Sequence, residues 1–232
     1  MKRHTILFLC LAMGIACFAQ EIKVACIGNS ITYGAGIDNR EQNSYPAQLQ
    51  KHLGDGYEVR NFGVSGTTAL YKGITPYVQT EQYRASLEYN PDIVFIKFGT
   101  NDAGVRNNEF RHAFNEDYRK VVDTYRKLPS NPRVIQLTPI RSFLPEYHPD
   151  DVIVKEIIPI INQVAQEYNL ELINLHDLYG DKWKEHLMPD KLHPSSIGDG
   201  NIALRLYQHL TKHVSTLTNF KNRDYFLSLY PN

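Results

Sequence analysis

Cysteine is nearly absent from this chain: three in 232 residues, at positions 10, 17 and 26. Two of them fall within the first nineteen residues, so a chain cleaved after residue 19 keeps only Cys26 and cannot form an internal disulfide. The fold must then stand on its core. Charge of one sign is missing too, with 25 basic and 25 acidic residues, and removing Lys2 and Arg3 with the N-terminal segment leaves 23 against 25, a formal −2. No global field draws in nucleic acid or an anionic membrane, which directs attention to a small or neutral partner. A membrane-length apolar run is also lacking: Ile6 to Phe18 is too short to cross a bilayer comfortably. Following Lys2-Arg3 and preceding Ala19-Gln20, that run instead reads as a signal peptide over 1–19, which places the product in a secreted or periplasmic setting. Gly14-Ile15-Ala16-Cys17 is a loose match to a lipoprotein signal and offers anchoring through Cys17 as the alternative.

Residues 20–232 fit one domain, and no repeat, linker or low-complexity segment divides them. Five runs rich in β-branched residues each lead into a loop: Ile22–Ile27, Tyr57–Phe62, Asp92–Phe98, Arg133–Ile140 and Leu170–Leu175. Helical spacing lies between and after them, over Tyr45–Leu53, from Phe114 through Tyr118, Val121, Val122 and Tyr125, from Ile153 to Tyr168, and around Ile202, Leu206 and Leu210. Pro159 either kinks the third of these or marks a late start. This alternation predicts an α/β domain of three layers, a parallel five-stranded sheet between helices. Ligands of such sheets bind beyond the carboxyl ends of the strands, at the point where strand order reverses.

The informative residues fall at those ends. The first run stops at Gly28-Asn29-Ser30, the second at Asn61-Phe62-Gly63-Val64-Ser65-Gly66, and the third at Phe98-Gly99-Thr100-Asn101-Asp102; Asp190-Lys191-Leu192-His193 comes near the C-terminus. Read singly, each has a plain structural explanation: Asn29 or Ser30 as a helix cap, Gly63 as a turn glycine, Asn101 as an Asx-turn residue, His193 as a surface histidine before Pro194. Four in order are a different matter. Together they resemble the SGNH, or GDSL-type, hydrolases, serine esterases built on a flavodoxin-like sheet, and the resemblance covers essentially the whole chain after residue 19. It implies Ser30 as nucleophile, His193 as base and Asp190 as the acid that orients it, with an oxyanion hole made from the N–H groups of Ser30 and Gly63 and the side-chain amide of Asn101. No cofactor and no metal is implied.

Two departures stand out. Asn29 occupies the place where the family has an aspartate, and Thr32 stands where the second glycine of a Gly-x-Ser-x-Gly elbow would be, which argues against an α/β-hydrolase. The family spans lipases, lysophospholipases, thioesterases and carbohydrate acetylesterases, and the motifs do not choose among them. Tyr71, Tyr77, Arg141, Phe143, Tyr147 and His148 form a polar aromatic set suited to sugar faces and hydroxyls. With no long apolar lid in view, an O-acetyl ester on a glycan is the preferred substrate and a lipid ester the alternative. Two readings of another class are a metal-dependent hydrolase ligated by His186, Asp190 and His193, and a glycan-binding module without activity.

Overall fold

The computed structural model describes residues 21–212; the expected signal segment and Cys17 lie outside them. Five strands, β1 (Ile22–Gly28), β2 (Tyr57–Gly63), β3 (Ile93–Lys97), β4 (Arg133–Leu137) and β5 (Glu171–Ile173), form one sheet in the order β2-β1-β3-β4-β5. All neighbours pair in parallel, Gly28 standing opposite Gly63 on one side and Lys97 on the other. Strand order therefore reverses between β1 and β3, and a crevice opens beyond their carboxyl ends.

Strand alternation explains the two cores. Ala25, Ile27, Val94, Ile96 and Val134 face one layer with Tyr118, Val121, Val122, Ile161 and Val164. Val24, Cys26, Phe95, Ile135 and Ile173 face the other with Tyr45, Leu49, Ile202, Leu206 and Leu210. The five longer helices are α1 (Tyr45–Leu53), α2 (Glu81–Glu88), α3 (Phe114–Arg126), α4 (Ile158–Tyr168) and α5 (Ser196–Lys212). The middle three cover the first face, while α1 and α5 cover the second. A central strand buried on both faces is apolar over most of its length, which is why Val24–Ile27 and Ile93–Ile96 read as unbroken runs, the buried Lys97 at the end of β3 being the exception. Each aliphatic side chain so buried contributes about 1.5–3 kcal/mol.

Pro159 does not mark a late start but disturbs a helix already under way. A helical turn, Asp150–Val152, runs into a wide π-type turn, Ile153–Ile157, and α4 continues from Ile158. Proline has no N–H to return to the carbonyl four residues earlier, so the α ladder is interrupted where a wider turn is tolerated. Strand β4 stops at Leu137, short of the expected Ile140, because the chain turns at Pro139, and Thr138 instead accepts the Leu175 N–H through its hydroxyl at 2.8 Å.

Candidate active site

Ser30 is the first residue of a one-turn helix, Ser30–Tyr33, that follows β1 directly. Asn29 caps this turn, its side-chain oxygen accepting from the Ile31 N–H at 3.2 Å, and Gly34 closes it in the left-handed region at φ 86°. An amide oxygen caps as a carboxylate oxygen would, while the Asn29 amide nitrogen is buried with no partner among the described residues. At Gly28 any side chain is excluded: a Cβ there would lie 2.3 Å from Thr32 Oγ1 and 2.6 Å from the Lys97 carbonyl. The serine is thus delivered from a tightly packed strand end at the reversal point.

His193 arrives from the loop between β5 and α5. A bridge between Leu187 and Pro194 closes that loop, Met188 N–H donates to the His193 carbonyl at 2.8 Å, and Lys191 takes φ 62° at its tip. Asp190 organises the interior of the turn, its Oδ1 accepting the N–H groups of Leu192 and His193, both at 3.0 Å. Its Oδ2 accepts from His193 Nδ1 at 2.6 Å, and His193 Nε2 lies 2.8 Å from Ser30 Oγ. A carboxylate can only accept, so Nδ1 carries the proton and Nε2 offers its lone pair to the serine hydroxyl. Partial burial pulls the Asp190 carboxyl up, but the hydrogen bonds from His193 and the two backbone N–H groups outweigh it and hold the carboxyl below its usual range. Ser30 is 8% exposed, His193 and Asp190 progressively more so.

Asn101 sits on the loop after β3. One hydrogen of its amide goes to the Thr67 carbonyl at 2.8 Å; an amide nitrogen has a second to give. Asp102, fully buried, ties this loop to the one after β2: its Oδ1 accepts from Ala69 N (2.8 Å) and Leu70 N (3.2 Å), its Oδ2 from Gly99 N (2.8 Å). Burial pushes its carboxyl up to about 6 against the pull of these N–H groups.

Gly63 does not fit the role expected of it. It is buried, its N–H donates to Asn61 Oδ1 at 2.9 Å, and a Cβ on it would lie 2.3 Å from the backbone nitrogen of Tyr33. It is glycine because the serine-bearing turn packs on it. Three residues on, Gly66 is exposed at φ 81° in the turn closed by Thr67 N–H to the Val64 carbonyl, and its N–H finds no acceptor among the described residues. Positive φ at the third position of a tight turn is a glycine signal that the sequence carried.

The expected substrate contacts divide sharply. Tyr77 belongs to the core, fully buried, with its hydroxyl donating to the Phe62 carbonyl at 2.9 Å. Tyr71 packs against the same core under Lys120, whose Nζ lies 5.4 Å from the ring centre, and its N–H donates to Asp117. Arg141 is engaged by Asp177 at 2.6 Å. Phe143 stacks on Trp183 with ring centres 4.0 Å apart and braces the histidine loop, its N–H donating to the Lys191 carbonyl at 3.1 Å. Tyr147 projects freely, 57% exposed, and His148, the sixth of the set, borders the Asn101 loop through the Thr100 carbonyl. The ligand set His186, Asp190 and His193 does not converge: His186 stacks on Tyr179 and pairs with Asn201, and among the described residues no three His, Cys, Asp or Glu side chains gather as a metal site.

With this geometry in place, the model of the GDSL-like lipase/acylhydrolase family matches residues 26–199. The chain belongs to that family. It is 41% identical over 205 residues to an acetylxylan esterase of Xylanibacter ruminicola, covering 79% of this chain and 42% of that protein, so it spans about two fifths of the relative's length. Among solved structures it superposes on a lipase/acylhydrolase from Enterococcus faecalis with a TM-score of 0.68 at 24% identity, covering 83% and 96% of the two chains. A two-domain esterase active on acetylated mannans gives 0.61 at 20% identity, covering 84% of this chain and 50% of that one. These likenesses show the fold, a three-layer sheet of the SGNH hydrolase type.

Proposed function

We propose that this protein is a serine esterase that removes O-acetyl groups from a carbohydrate. The observation that carries the reading is the unbroken chain Ser30 Oγ, His193 Nε2, His193 Nδ1, Asp190 Oδ2, with links of 2.8 and 2.6 Å at the carboxyl edge of the sheet. Ser30 Oγ attacks the acetyl carbonyl carbon while His193 Nε2 takes its proton, and Asp190 stabilises the imidazolium so formed. The ester C–O bond then breaks as His193 returns the proton to the departing sugar oxygen. Water attacks the acetyl-serine, gives a proton to His193, and acetate leaves with Ser30 restored.

The oxyanion is held by the N–H of Ser30, the amide of Asn101 and the N–H of Gly66 in place of Gly63. The turn carrying Gly66 lies over the end of β1: Val64 N–H donates to the Gly28 carbonyl at 3.0 Å, and Asn101 reaches the Thr67 carbonyl from the other side. The acetyl and sugar parts of the reading are supported by the acetylxylan esterase relative and by the exposed Tyr147 at the rim. Export of the mature chain from the cytoplasm through its first nineteen residues completes the proposal.

A fluorophosphonate should label Ser30, and acetate should be released from acetylated xylan faster than butyrate from its butyrylated counterpart. Activity abolished by EDTA and restored by zinc, with Ser30 unlabelled, would overturn the serine reading.

A further inference from the structure

His148 lies on the segment between β4 and α4, in a turn where its own N–H donates to the Leu144 carbonyl at 2.9 Å. The turn is held against the Asn101 loop: Val105 N–H donates to the Tyr147 carbonyl at 3.0 Å, and His148 Nδ1 lies 3.2 Å from the Thr100 carbonyl, the peptide oxygen that directly precedes Asn101. Gly104 permits the approach, since a Cβ there would come within 3.2 Å of His148 Nδ1. A carbonyl can only accept, so Nδ1 carries the proton, and in the neutral ring Nε2 is left as an acceptor. Nε2 has no partner among the described residues, nor is it sealed from solvent. Burial, and then the charge of His193 nearby, lower the His148 pKa against the pull of the Thr100 carbonyl, which keeps the ring neutral where His193 must cycle.

The place of His148 fixes what it can touch. The departing alcohol oxygen must come within reach of His193 Nε2 to receive its proton. Through the Thr100 carbonyl His148 borders Asn101, so its unpartnered Nε2 is available to the alcohol half of an ester held at Asn101. We propose that His148 is a specificity-determining residue whose Nε2 accepts a hydrogen bond from the free hydroxyl adjacent to the acetylated oxygen, selecting esters of vicinal diols such as partly acetylated sugar units. The inference rests on the esterase reading. An acceptor fixed by its own second hydrogen bond costs little to organise, while an ester without the neighbouring hydroxyl leaves it facing an apolar carbon.

The test compares trans-2-hydroxycyclohexyl acetate with cyclohexyl acetate, a pair that differs only in that hydroxyl. Wild-type kcat/KM should favour the hydroxylated ester by about three- to tenfold, the scale of one neutral hydrogen bond. His148→Phe, which keeps a flat ring but no acceptor, should bring the ratio close to one, with the extra loss falling on the hydroxylated ester. His148→Gln, which restores an acceptor, should recover part of it. No preference in wild type, a preference that survives His148→Phe, or an equal loss on both esters in a folded variant would overturn the assignment. Failure of wild type to hydrolyse either ester or to react with a fluorophosphonate would be a different result, removing the esterase reading and this inference with it.

Discussion

Two aspartates nine residues apart, Asp190 and Asp199, each answer to a basic side chain, and the protein treats them in opposite ways. Asp190 stands at the rim with His193 and accepts three hydrogen bonds, so its carboxyl stays ionised cheaply. Asp199 is buried on the first turn of α5, sensing Lys97 at the end of β3. Its Oδ2 accepts the Tyr45 N–H at 2.8 Å, capping α1, but Oδ1 and Lys97 Nζ have no partner among the described residues. Burial pushes Asp199 well above the carboxylate range and Lys97 down to about 7. A charge that must act is placed where water and local N–H groups sustain it; a buried charge can only brace, at a desolvation cost its partner barely offsets. Changes at the rim should therefore alter turnover, and changes beneath it should alter stability.

The largest expected effects are at the rim. Ser30→Ala should lower kcat by on the order of 10⁴- to 10⁶-fold, and Asp190→Asn by up to about 10⁴-fold, because the carboxylate both orients and charges the imidazole. Thermal midpoints should barely move in either case. A variant at position 30 or 190 that retains turnover but melts early would break the comparison from its catalytic side.

Next comes the interior. Lys97→Met removes a buried amine that finds no hydrogen-bond partner among the described residues, and kcat of the folded fraction should be little changed. Burial lowers the folded-state pKa of Lys97 to about 7, so the unfolded chain holds the proton more tightly and the lysine costs stability at and below neutral pH. That cost fades as pH rises from the folded value toward the usual lysine range. Lys97→Met should therefore be more stable than wild type by about 1–4 kcal/mol near and below pH 7, with the gain shrinking as pH rises. Denaturant titrations of variant and wild type across pH measure this, and a difference independent of pH, or a loss of stability at pH 7, would show that the lysine is not strained by its burial.

Asn101→Ala follows: on the proposed oxyanion role of its second amide hydrogen it should cost about 10²- to 10³-fold in kcat with KM little altered. Turnover within about threefold of wild type would place the oxyanion donors elsewhere.

The same division governs what could be read from the sequence. Strands β1 and β3 were legible because burial on both faces favours an apolar run, broken in β3 only at Lys97, and α1, α3 and α5 because one buried stripe repeats at helical spacing. Helix α2 was not: it buries only Ser86 fully, with Tyr83 and Leu87 half-covered, so no stripe announces it. Ser30, Asp190 and His193 were legible only in combination, through the resemblance of four segments in order to a family pattern, since each read singly has a plain structural explanation. Tyr77 was misread because tyrosine in a loop looks solvent-facing until its hydroxyl finds a buried carbonyl. Gly63 and Gly66 could not be told apart by sequence, for both follow the same strand; only the fate of each N–H distinguishes them.

That pair of glycines carries the comparison to its smallest effect. A Cβ on Gly63 strikes the backbone of Thr32 and Tyr33, so Gly63→Ala should destabilise the fold by about 1–3 kcal/mol. Gly66 has open space around its missing side chain, and its only obstacle is φ 81°. Gly66→Ala should therefore cost about 1 kcal/mol of backbone strain and leave the fold intact. If its N–H holds the oxyanion, even a slight rotation of that peptide lengthens the bond at the moment charge develops, so kcat should fall severalfold with KM unchanged. The measurement is kcat, KM and thermal midpoint for both variants on p-nitrophenyl acetate. A Gly66→Ala enzyme with full turnover, beside a folded Gly63→Ala enzyme that has lost it, would return the donor to Gly63 and require the Asn61 hydrogen bond to open during catalysis.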